Sequence, residues 1–82
     1  LAATNNLALF EEARRMDAAA EELYQRALEQ GEKAHGRDSV LLLPTLNDYA
    51  HLLRRTKRET KAAGLEARAR ALERRKAEVP AK

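Results

Sequence analysis

The side chains that could carry chemistry are few and scattered. His35 and His51 are the only histidines, and neither has a second ligand at metal-binding spacing. There is no Cys, which excludes disulfides and thiolate metal sites. Ser39 has no recognisable nucleophile setting, and no glycine-rich phosphate loop occurs. We therefore expect no catalytic residue, no metal site and no cofactor, and read the chain as a non-enzyme. What remains is recognition chemistry. Asn5 and Asn47 each carry an amide with donors and an acceptor, which suits a polypeptide backbone, although the same groups can bond neighbouring helices. Arg54 and Arg55 can hold carboxylates through forked hydrogen bonds.

These residues are placed by a repeat. The stretch 5–28, NNLALFEEARRMDAAAEELYQRAL, returns in weaker form forty-two residues later at 47–70, NDYAHLLRRTKRETKAAGLEARAR. Asn5, Ala8, Ala20, Leu23, Arg26 and Ala27 recur as Asn47, Ala50, Ala62, Leu65, Arg68 and Ala69, while Leu7 becomes Tyr49 and Phe10 becomes Leu52. A period of this length points to a helical array. Charged residues make up 35% and aromatics 4% of the chain, a balance that disfavours strands and suits alanine-rich helices.

The spacing predicts four helices. The first runs from about Ala2 to Arg14 with Thr4, Leu7 and Ala8 along one face and Phe10 beside them, a thin stripe interrupted by Glu11. A turn near Arg15 and Met16 leads to a second helix over about Asp17 to Ala34, capped by Asp17, with Ala20, Leu23, Tyr24, Ala27, Gly31 and Ala34 inward. No Pro or Gly interrupts residues 2–30, so the alternative is one continuous helix and a domain-swapped dimer. Gly36 suits a left-handed helix end, and Asp38 or Ser39 caps the next helix. Pro44 fits a first helical turn, so the third helix begins near Leu43, or near Val40 with a kink. Leu42, Leu46, Tyr49, Ala50 and Leu53 form its stripe. Thr56 with Glu59 reads as a capping box opening a last helix that buries Ala62, Leu65, Ala69 and Leu72, reaches about Glu78 and stops before Pro80.

With these elements in place, NNLA, Ala20, LYQRAL and the connector GEKAHGRDS resemble the tetratricopeptide repeat in the forty-two-residue form of kinesin light chains and many bacterial repeat proteins. The turn positions Arg15 and Lys57, where the family often has Gly, and Asp17 and Glu59, where an aromatic is usual, depart from the pattern. The resemblance implies an all-α fold of two helix-turn-helix units, at residues 1–37 and 38–79 with a tail at 80–82. Four antiparallel helices would form a short right-handed array whose second unit closes it. It also implies a concave surface for a peptide or partner helix, lined by Asn5, Leu9 and Glu12 in the first unit and Asn47, His51, Arg54 and Arg55 in the second. Positions four and seven apart share a helix face, and this face is distinct from the apolar stripes.

Charge refines the expected partner. Residues 1–41 carry five Lys or Arg against eight Asp or Glu, and residues 42–82 carry eleven against five, so the net charge goes from −3 to +6. A protein or peptide ligand with an acidic segment is expected at the basic second unit. Nucleic acid is the rival partner for Arg68, Arg70, Arg74, Arg75 and Lys76, but Glu66, Glu73 and Glu78 interrupt the run and no aromatic is interleaved for base stacking. No apolar run approaches a membrane span and no targeting segment is visible, so a cytoplasmic protein is expected. Starting at Leu1, the chain reads as a segment of a longer protein. Two units alone should be weakly stable, or self-associate through the face a neighbour would cover or as a swapped dimer.

Overall fold

The computed structural model describes residues 2–78. Four helices succeed one another: α1 (Ala2–Ala13), α2 (Asp17–His35), α3 (Leu43–Arg55) and α4 (Glu59–Glu78). A single 3-10 turn, Val40–Leu42, leads into α3 with Pro44 in its first turn, so the third helix starts at Leu43 without a kink inside it. α1 packs along α2 and α3 along α4, and α3 also touches both α1 and α2. The expected stop before Pro80 and the tail 80–82 lie outside the described residues.

The two hairpin turns share one geometry at a spacing of forty-two residues. Met16 N–H donates to Glu11 O (2.9 Å) and Arg15 N–H to Glu12 O (3.0 Å); Arg58 N–H donates to Leu53 O (2.8 Å) and Lys57 N–H to Arg54 O (3.1 Å). This crossed pair of bonds is a Schellman ending. It requires a left-handed residue, and Arg15 (φ 63°) and Lys57 (φ 65°) supply it without glycine. The chain therefore turns between α1 and α2 and does not run on as one continuous helix.

Two expected caps are corrected. Met16 occupies the N-cap position of α2 with no side-chain cap, because Asp17 is already helical and its carboxylate accepts from Arg55 (2.7 Å). Thr56 does not open α4: its hydroxyl donates back to Leu52 O (2.9 Å) and Leu53 O (3.3 Å), closing α3, and Glu59 is the first residue of the next helix, not its third. Ser39 is the cap as expected, its Oγ accepting from Leu41 N–H at 3.1 Å. Gly36 ends α2 with a positive φ of 87°, the region that favours glycine, although its ψ of 160° lies outside the left-handed helical basin.

The core divides in two. Ala8, Ala20, Tyr24, Tyr49, Leu52, Leu53 and Ala62 form one cluster, and Leu42, Leu46, Ala69 and Leu72 the other, with Leu65 packed against both. Tyr24 and Tyr49 stack with ring centroids 5.8 Å apart and planes 16° from parallel, joining α2 to α3. The first helix departs from its expected stripe. Asn5 and Ala8 point inward, whereas Leu7 and Phe10 are 50% and 56% exposed. Their counterparts Tyr49 and Leu52 are buried because α3 has α2 against it. Ala34 is likewise exposed at the end of α2.

Candidate functional site: the cleft between the first helices

α1 and α3, the leading helices of the two hairpins, flank a cleft of about 460 Å³ lined by Leu9, Glu12, Ala13, Arg15, Asp48, His51 and Arg55. Positions three and four apart on a helix share a face, which brings Leu9, Glu12 and Ala13 together on α1 and Asp48, His51 and Arg55 together on α3. Glu12 organises the floor. One oxygen accepts from the Tyr24 hydroxyl at 2.8 Å, and the other accepts from Arg55 Nη2 at 3.1 Å and lies 3.9 Å from His51 Nδ1. Burial, and then the Glu12 carboxylate beside it, push the Tyr24 phenol well above its ordinary range, so it remains a donor. Arg55 also donates to Asp17, which ties the cleft to the start of α2.

The expected binding residues are distributed unevenly. Leu9, Glu12, His51 and Arg55 line this cleft. Asn5 sits below it, buried, with Nδ2 donating to Asp48 at 3.1 Å, so its amide bonds a neighbouring helix. Its Oδ1 is buried and has no hydrogen-bond partner among the described residues. Asn47 is exposed on α3 and does not line the cleft. Arg54 lies on the other flank of α3, where its Nε and Nη2 grip the two oxygens of Glu66 on α4, both at 2.6 Å. This pair repeats the Glu12–Tyr24 contact forty-two residues on, with the chemistry changed from phenol and carboxylate to guanidinium and carboxylate. Arg15, Ala13 and Asp48 were not expected in the cleft. Arg15 is carried to its rim by the left-handed turn, and Asp48 was signalled by its place three residues before His51 and seven before Arg55.

Two stacked helical hairpins whose leading helices share one cleft define a helical-repeat protein. The sequence matches the tetratricopeptide repeat family over residues 1–75, and the chain belongs to that family. These repeats serve as protein-interaction scaffolds and are typically not enzymes, so the partners of the class are other proteins. Neither the curated proteins nor the solved structures compared with the chain give a match. Among the described residues, no helix is long and apolar enough to cross a membrane.

Proposed function

We propose that the chain is a protein-interaction module that takes an extended peptide or partner helix in the cleft between α1 and α3. The observation that carries this reading is the lining itself. A half-exposed Leu9 offers apolar contact, and Glu12, Asp48, His51 and Arg55 stand around it with both donors and acceptors. Backbone recognition falls to His51 and to the Oδ1 of Asp48, because Asn5 bonds within the fold through the other oxygen of Asp48 and Asn47 does not line the cleft. An acidic segment is the preferred ligand. Arg15 lines the rim with no ion pair among the described residues, and Arg55 can exchange Asp17 for a ligand carboxylate. Arg54 is held by Glu66 and takes no part.

The test uses a labelled peptide of alternating Glu and Leu beside its Lys–Leu counterpart, with affinity read by fluorescence anisotropy. The Glu peptide should bind about tenfold tighter, or more. Arg15→Glu should erase that preference, and Leu9→Asp should weaken both peptides. Equal binding of the two peptides would remove the acidic preference. Binding untouched by Leu9→Asp would move the site elsewhere.

A further inference from the structure

The cleft between α1 and α3 holds one side chain of the kind that changes charge near neutral pH. From about pH 5.5 to about pH 8 carboxylates and guanidiniums ordinarily keep their charge, and imidazole does not. His51 is the single imidazole of the lining, since His35 lies at the end of α2, outside the cleft. Around it stand Glu12 from α1, Arg15 from the turn that follows, and Asp48 and Arg55 from its own helix, α3. Asp17 of α2 stands behind Arg55, and α4 contributes none of the described lining residues. The fixed charges of the lining cancel, two carboxylates against two guanidiniums, and Asp17 adds a negative one. With a neutral ring the surface carries no net positive charge; a proton on His51 adds one.

The ring is placed to use that proton. His51 Nδ1 lies 3.9 Å from the Glu12 oxygen that also accepts from Arg55 Nη2 at 3.1 Å. The Tyr24 hydroxyl donates to the other Glu12 oxygen at 2.8 Å and keeps the carboxylate from turning away. One oxygen therefore faces two cations once the ring is charged. Whichever of them keeps it, the other has donors to offer a ligand. The His51 side chain is 75% exposed, so an occupant of the cleft meets it directly.

We propose that His51 is a proton-operated switch on ligand choice: charged, it draws an acidic segment into the cleft, and neutral, it lets that preference lapse. The switch rests on the reading of the cleft as a site for an acidic segment. Because binding and protonation are linked, a ligand that prefers the charged ring also raises the pH at which the ring titrates. The ion pairs that hold the hairpins do not respond in this window, since Arg58 and Arg54 hold the carboxyls of Glu21 and Glu66 below their ordinary range.

The test is the affinity of the chain for the labelled Glu–Leu peptide at pH 8 and at pH 5.5, together with NMR titration of both histidine rings with and without the peptide. Affinity should rise about threefold to tenfold at the lower pH, and the peptide should move the His51 titration up by about 0.5–1 unit, leaving His35 in place. His51→Gln should keep the weaker affinity at both pH values and His51→Lys the tighter one, while His35→Gln should keep the full response. Equal affinity of the wild type at the two pH values would overturn the switch and leave the acidic cleft standing. A response that survives in His51→Gln would also overturn it, because the proton would then sit elsewhere. No binding of the peptide at either pH would remove the acidic-ligand reading itself, and the switch with it.

Discussion

Arg15 and Lys57 hold φ near +65°, a conformation that puts Cβ against the following carbonyl and costs a non-glycine residue roughly 1–2 kcal/mol. Each is fixed there by the crossed hydrogen bonds that end α1 and α3, so the cost is borne twice at one register of the repeat. Arg15 gains a place on the cleft rim from it, whereas Lys57 lines no cleft and makes no ion pair among the described residues. Lys57→Gly should therefore raise stability by about 0.5–1 kcal/mol, the relieved strain exceeding the entropy given to the unfolded chain. A thermal melt reads the difference, and a lowered midpoint would mean that the lysine stem packs more than its exposure indicates.

At the scale of elements, the joint between the hairpins depends on one carboxylate. Glu21 of α2 is reached from α3 by Tyr49 and from the start of α4 by Arg58 and Lys61, and Arg58 foremost holds its pKa below the ordinary 4.5. A depressed carboxylate contributes stability that is fully present above its ordinary value and is lost as pH falls through the lower, folded value. Glu21→Gln should cost about 1 kcal/mol at neutral pH and nothing at a pH below the folded value, so the two unfolding curves converge in acid. Parallel curves at all pH values would show that the joint holds without this charge. The helices themselves were legible in the sequence, because the stripes of α2 and α3 and the cap at Ser39 are local signals. Asp17 and Thr56 misled because a nearby backbone group is only one of the partners available to a polar side chain. Asp17 found Arg55, thirty-eight residues away, and Thr56 turned back on the helix it ends. The same limit applied to the cleft. Periodicity placed Leu9, Glu12, His51 and Arg55 on one surface, but only the packing of α1 against α3 could bury Asn5, and only α4 could draw Arg54 away.

The whole molecule is elongated, 43 × 25 × 18 Å, with a core split between a cluster drawn from all four helices, rich in alanine and tyrosine, and a leucine cluster at the entry to α3. Neither is deep, and the locks between helices therefore carry weight in holding the hairpins closed. Those locks differ in kind. In the first hairpin a buried phenol donates to Glu12, while in the second an exposed guanidinium holds Glu66. Added electrolyte screens an exposed ion pair, the Debye length falling from about 8 Å at physiological ionic strength to about 3 Å at 1 M, and leaves the buried phenol bond nearly untouched. Hydrogen exchange in concentrated sodium chloride should accordingly quicken along α4 before it does so along α2. Uniform quickening of both would show that the exchanged lock is mechanically irrelevant. If the order holds, ionic strength becomes a dial on one end of the molecule alone, loosening the last helix while the hairpin before it keeps its grip.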